Sequence, residues 1–399
     1  MTTETRTTSA SSQAKVFSII AAALFLSNTA ALMLGPLLVD IAREFGTSVA
    51  VTGQLAAATF ASWAICTPLV GPVSDSLGRR PVALTGLSLM GSCILAAAFA
   101  PNFFVLMALF IGTGLGGAMI PPNSMATITD VIPPEERGRA IGLAQSISTA
   151  AAVAGVPVVA VLASVGGWRL PFIVCGALLL ATFVLSWLWY PRNTGAGRRS
   201  FSYISRFREL VSMPVFRFGM LAHFSQRTGF FAILGYIAAY LIDAYGMSVG
   251  ETAVPLAVIG SGAVIGSLWS GAIAGHRKRL RFVAGSALAG GVLAALVFAV
   301  NPSIWLTVAI AFGAVCLLSV GMAVFITFAT DVGGQSRATA VGMMGGSNRL
   351  GGVAGSAIGG AFLAIGGYTA VGIFCMAAVV FSALVMQLFM REPKSDQVF

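Results

Sequence analysis

The stretch AHFSQRTGFF, residues 222–231, places His223, Gln226 and Arg227 inside a long apolar run. GGSNRLGG, residues 345–352, does the same for Asn348 and Arg349. An arginine offers a planar fork of N–H donors that matches a carboxylate or phosphate through two bonds at once. A buried cation without a partner is expensive, so such a residue needs something polar to face. His223 precedes Arg227 by one helical turn on the same face, and an imidazole can take up a proton near neutral pH. Asn28, in another apolar run, adds an uncharged donor and acceptor. Asn28, His223, Gln226, Arg227, Asn348 and Arg349 are therefore the candidate substrate-binding residues, and their chemistry is noncovalent capture of a small anion. A second reading stays open, in which each arginine caps backbone carbonyls freed by neighbouring glycines and holds no ligand.

The elements that must position these residues follow from composition. Of 399 residues, 57% are hydrophobic and only 9% charged, and the mean hydropathy is +0.91. Average globular proteins carry about 25% charged residues. A chain so poor in charge cannot cover a water-facing surface, so it is read as an integral membrane protein. Runs of the ~20 apolar residues needed to cross a bilayer recur twelve times. They fall at 16–38, 50–72, 82–100, 104–129, 140–165, 169–190, 215–242, 252–274, 282–300, 303–330, 339–364 and 368–390. These runs lack the period-two alternation of barrel strands. The fold class is thus all-α, with 12 transmembrane helices.

Depth can be read along such helices. Arg227 lies ten residues beyond Arg217, about 15 Å at helical rise, and Arg349 twelve beyond Arg337, about 18 Å. Asn28 lies thirteen beyond Lys15, about 20 Å. All three sit near the midplane. No carboxylate is placed mid-span; Asp40, Glu44, Asp243 and Glu251 fall at outer helix ends. Intramembrane ionisable groups are functional by default, so His223, with Asp40 and Asp243 at related outer ends, are the candidate coupling residues.

The formal net charge of +10 is distributed by side rather than by patch. With the N-terminus inside, almost all Lys and Arg fall on one face, and only Arg43 and Arg169 land on the other. That asymmetry predicts cytoplasmic termini and contact of the basic loops with lipid head groups, and it leaves no need for a nucleic-acid partner. The first apolar run lacks a cleavage site and is expected to be an uncleaved span. Five cysteines, an odd number spread through apolar runs, argue against disulfides and metal. No cofactor is expected. No zinc-type His-Glu cluster, nucleophile elbow or phosphate loop is present to make an enzyme.

A shift of two hundred residues aligns the chain with itself. FGTSV (45–49) meets YGMSV (245–249), VAG (153–155) meets VAG (353–355), SVGGW (164–168) meets AIGGY (364–368), and Cys175 meets Cys375. The organisation expected is a tail (1–15), a six-helix bundle (16–190), a basic linker (191–214), a second six-helix bundle (215–390) and a second tail (391–399). Parallel repeats of this kind serve alternating access around a midplane site.

GPVSDSLGRRP, residues 71–81, joins the second and third spans. It resembles the signature loop of the major facilitator superfamily, Gly-x-x-x-Asp-x-x-Gly-Arg-Arg, at the same place in the chain. DVIPPEERGRA (130–140) and GWRLPF (167–172) extend the resemblance over nearly the whole sequence. It implies two pseudo-repeated six-helix bundles, a monomer in the bacterial inner membrane, and secondary active transport of a small organic solute. It also implies gating roles for Asp75, Gly78, Arg79, Arg80, Arg137 and Arg139. For Asp75 a purely topological turn stays open as an alternative. GVP at 155–157 is similar to the sugar- and drug-efflux branch, the arabinose-efflux-permease-like group. The pattern departs from it at Val158 and Val159, at Phe110 where proton-coupled exporters carry an arginine, and at Gly275, the repeat of Asp75. Export is the favoured direction, with uptake or exchange of an organic anion as the alternative. A transport-inactive membrane sensor or scaffold is the alternative of another class.

Overall fold

The computed structural model describes residues 10–191, 203–300, 303–334 and 337–390. Of Asp75, Arg137 and Arg139 only the backbone is described, so the expectations about their side chains lie outside it, as do most of both tails and of the linker. Regular structure among the described residues is helical throughout.

The first bundle comprises α1 (Ala10–Leu32 continued by Leu34–Glu44), α2 (Gln54–Leu77) and α3 (Arg79–Ala97). It continues with α4 (Phe103–Val131), α5 (Pro134–Ala150, Ala151–Gly155, Val156–Gly166) and α6 (Arg169–Trp189). A short helix, Tyr203–Ser212, lies within the linker. The second bundle comprises α7 (Pro214–Tyr245), α8 (Ala253–Ile273), α9 (Arg279–Ala299) and α10 (Ile304–Ser319 continued by Gly321–Gly333). The run Arg337–Phe389 leaves helical geometry at Gly366 and Gly367, which divide it into α11 (337–365) and α12 (368–389). Twelve crossings result, as the apolar runs predict.

Proline accounts for the irregularities. Pro36 has no N–H for the Leu32 carbonyl, and α1 breaks at Met33 between them. Pro157 cannot serve Val153, and the turn Ala151–Gly155 widens to a π-helix.

The duplication is also written in the backbone. Gly46 and Gly246 end α1 and α7 with φ of 63° and 67°, and Gly167 and Gly367 precede α6 and α12 with 71° and 66°. An L-residue adopts this conformation only at a cost, so glycine recurs at the same two corners of each bundle. Ion pairs repeat as well. Arg79 meets Asp130 at 3.3 Å, and Arg279, two hundred residues on, meets Asp331 at 2.5 Å.

The bundles touch through α2 with α11, α1 with α7, and α5 with α8. These contacts concentrate on the face away from the basic loops. A Cβ added to Gly53 or Gly360 would collide with Tyr236, one added to Gly352 with Phe60, and one added to Gly260 with the Ala152 carbonyl. Gln54 Nε2 donates across the seam to the Ala357 carbonyl. Toward the basic face the interface helices lose cover. On α2, Ile65 and Leu69 are 71% and 62% exposed, and a Cβ on Gly142, Gly342, Gly345 or Gly346 would meet nothing within 4 Å. The molecule is closed on one face and parts toward the basic one.

Candidate functional site

At the depth where the bundles part, α7 and α11 bring the two arginines onto a shared aromatic layer. Gly351 lets α11 approach until its Cβ position would press on Arg227 Cβ and the Phe224 carbonyl. The Arg227 guanidinium lies 3.7 Å from the Phe230 ring centre and 5.6 Å from that of Phe231. Arg349 reaches across the seam, 3.9 Å from the Trp63 ring centre and 6.0 Å from that of Phe60. Phe60 and Phe231 join the two clusters, their ring centres 5.0 Å apart. Both guanidinium groups thus lie over aromatic rings, a contact worth about 0.5–2 kcal/mol each. Among the described residues neither forms an ion pair or caps a backbone carbonyl. Their in-plane donors remain available for an anion.

His223 and Gln226 occupy a neighbouring position, against α10. The His223 ring centre lies 5.0 Å from that of Phe325, and Gln226 fills the space that a side chain at Gly321 would take. His223 is 2% exposed and Gln226 fully buried. Six buried side-chain N or O atoms lack a partner among the described residues, and five belong to His223, Gln226 and Arg227. Buried polar groups are normally satisfied, and each orphan costs about 1–3 kcal/mol. That cost falls within five consecutive positions of one helix.

The remaining candidates are placed as follows. Asn28 donates to Ser148 Oγ of α5 at 2.7 Å and to the Leu24 carbonyl at 3.0 Å, so it ties α1 to α5 just before the π-turn. Asn348 is half-buried beside Arg349. Asp40 lies 4.0 Å from Arg43, and Asp243 accepts a hydrogen bond of 2.5 Å from the Tyr368 hydroxyl. Both acids sit at the closed end and take no part in the arginine layer. On the basic face Gly78 has φ of 96°, a turn that favours glycine. Arg79 donates to Asp130 and to Ser74 Oγ, and Arg80 donates to the Trp187 carbonyl at 2.6 Å.

Sequence reasoning missed the aromatic partners Phe60, Trp63, Phe230 and Phe231. It also missed a network in which Asn123 bonds Ser74 and the Tyr190 hydroxyl, and Tyr190 bonds Thr127. Asn123, Thr127 and Asp130 recur at helical spacing on α4, a signal that could have revealed that network.

The sequence profile of the Major Facilitator Superfamily matches residues 20–336. The chain belongs to this superfamily. It is a multi-pass membrane transporter of small solutes and not an enzyme. It is 27% identical to a gallate transporter of Pseudomonas putida over 82% of this chain and 80% of that one. It is 24% identical to the multidrug transporter MdfA of Yersinia pestis over 78% and 79%. A solved bacterial homolog of the human lysosomal transporter Spinster, inward-facing and unoccupied, shares the fold. Its TM-score is 0.77 at 19% identity, covering 98% of this chain and all of that one.

Proposed function

We propose that this transporter exports a small organic anion by alternating access, with Arg227 and Arg349 as its receptor. The observation that carries the reading is the pair of midplane arginines, unpaired with acid among the described residues and braced by rings at the end of the opening between the bundles. Residues 16–190 and 215–390 act as two bodies joined by the linker 191–214, and the protein works as a monomer. The basic face is cytoplasmic, as are both termini, in a bacterial inner membrane. Asp75, Gly78, Arg79, Arg80, Arg137 and Arg139 gate that face.

The direction follows from electrostatics. With the cell interior negative, moving one negative charge outward is favoured by about 2.3 kcal/mol per 100 mV. No mid-span carboxylate is needed to couple such a step to protons. A relative named as a gallate transporter agrees with an anionic cargo, and one named as a multidrug transporter agrees with export.

Proteoliposomes loaded with carboxylates, under an imposed potassium diffusion potential, test the reading. Efflux should accelerate when the loaded side is negative and slow when it is positive. Transport of organic cations in place of anions, or flux indifferent to the potential, would count against it.

A further inference from the structure

We infer that Asn123 and Tyr190 are positioning residues of the cytoplasmic gate, fixing the signature turn 78–80 to the body of the first bundle through a one-way chain of hydrogen bonds. This rests on the gating role proposed above for that turn and deepens it.

Each donor in the chain has a single assignment. Arg79 Nη1 donates to Ser74 Oγ at 3.1 Å. Ser74 Oγ spends its one hydrogen on Asn123 Oδ1 at 2.7 Å. Asn123 Nδ2 has two, and gives them to the Arg79 carbonyl at 2.9 Å and the Tyr190 hydroxyl at 3.0 Å. The Thr127 hydroxyl donates to the Asn123 carbonyl at 2.8 Å. Its hydrogen is thereby used, so the 2.5 Å bond between Thr127 and Tyr190 is donated by Tyr190. The chain leaves from a cation and returns to that residue's own carbonyl. Ser74, Asn123, Thr127 and Tyr190 are all 0–5% exposed.

Arg79 is thus held twice. Its carbonyl is tied to α4 by Asn123, and its guanidinium is shared between Ser74 and Asp130. The turn before it pivots on Gly78, a residue that is permissive on its own. The bonds to Asn123 and Ser74 therefore set how the turn stands against the bundle. Tyr190 follows the last residue of α6, so the same chain ties the root of the linker to the turn.

The duplication shows what the network is not for. Arg279 and Asp331 repeat the cation–acid pair in the second bundle. Yet Ala274, Ala323 and Met390 stand where the first bundle has Ser74, Asn123 and Tyr190. Arg279 donates to the Ala274 carbonyl instead, and Thr327, in the place of Thr127, bonds the Ala323 carbonyl of its own helix. A bundle of this design keeps its ion pair without the network. The copy that carries the network also carries the signature acid, Asp75, where the other has Gly275. The molecule parts on this face, and closing it brings the turn toward the second bundle. A turn bonded into a rigid body passes that contact to the whole first bundle, whereas a loose one yields. Loss of the chain should then favour the cytoplasm-open state.

The test is maleimide labelling of the full-length protein in inside-out vesicles, with the native cysteines replaced by alanine. Gly342→Cys is the reporter, at a position where a Cβ meets nothing within 4 Å. Asn123→Ala combined with Tyr190→Phe removes donor and acceptor together, so its melting temperature should stay near that of the reporter alone. Its labelling should rise roughly threefold or more, the population shift that one lost hydrogen bond supplies. Thr127→Ser keeps the acceptor and should label as the reporter alone does. Unchanged labelling in the double variant, or a rise accompanied by early melting, would overturn the inference. Arg79→Gln separates it from the reading beneath it. If Arg79→Gln raises labelling and the double variant does not, the gate stands and its positioning by Asn123 and Tyr190 falls. If neither does, both fall.

Discussion

Arg349 of the second bundle lays its guanidinium 3.9 Å from the ring centre of Trp63 in the first. The contact crosses the plane along which the bundles must separate, and it involves a cation that forms no ion pair among the described residues. Substituting either arginine should therefore reach ligand binding directly. Arg227→Ala and Arg349→Ala are each expected to lose about 1.5–3 kcal/mol, roughly 10- to 150-fold in affinity for the carried anion. Lysine keeps the charge without the fork and should fall between. The double variant should lose less than the sum, since both side chains meet one ligand. Titration calorimetry with melting curves checks this; normal binding with early melting would make the arginines structural props.

His223 lies one helical turn from Arg227, and neither of its ring nitrogens has a partner among the described residues. Asp40 and Asp243 are engaged at the closed end by Arg43 and Tyr368. Any pH dependence of transport between pH 5 and 8 should then flatten in His223→Gln and persist in Asp40→Asn and Asp243→Asn. A profile unchanged in His223→Gln would remove the imidazole from the coupling scheme.

The closed face relies on glycine at Gly53, where a side chain would strike Tyr236, itself anchored by a 2.7 Å bond from its hydroxyl to the Ser356 carbonyl. Gly53→Val should prevent that closure and leave the folded protein open on the far side. Labelling of single cysteines placed on either side of the layer would report the shift, and an unchanged pattern would show that Tyr236 yields.

Asp75→Asn is expected to leave expression and folding intact while altering the balance between the two access states. The expectation rests on the position of Asp75 in the signature loop. Alternate-side cysteine labelling decides it, because an unaltered ratio would reduce the loop to a topological turn.

Asp331 supports a largely buried Arg279, which also donates to the Ala274 carbonyl. Removing the acid leaves a cation short of one charge-assisted bond. Asp331→Asn should destabilise the protein by about 1–3 kcal/mol, visible as a lower melting temperature, with substrate affinity preserved. Altered affinity at unchanged stability would place this pair in the transport path instead.

Much of this architecture is legible without coordinates, because the bilayer constrains length and charge so tightly. The twelve runs, and the depth of Arg227 and Arg349, follow from helical rise and composition alone. The division of the last 53-residue run at Gly366 and Gly367 falls where the gap between 364 and 368 places it. What stayed hidden depends on contacts between bundles. Nothing along α2 distinguishes Phe60 and Trp63 from other apolar residues until α11 is set beside them. Gln226 and His223 share a stretch with Arg227, yet packing turns them toward α10, a partner some hundred residues away that periodicity cannot name. The Arg79–Asp130 pair was similarly invisible, since its members are joined by the angle between α3 and α4 and not by sequence spacing.

The seam that shuts the far face holds one further consequence. Its contacts are glycine on ring, ring on ring and amide on carbonyl, while the ion pairs among the described residues each stay inside one bundle. The joint is thus held by apolar and uncharged polar contacts, with no ion pair across it among the described residues. Dissolved salt has little there to screen, so the closed face should hold nearly as well in saline as in fresh surroundings, parting only when its apolar surfaces are wetted.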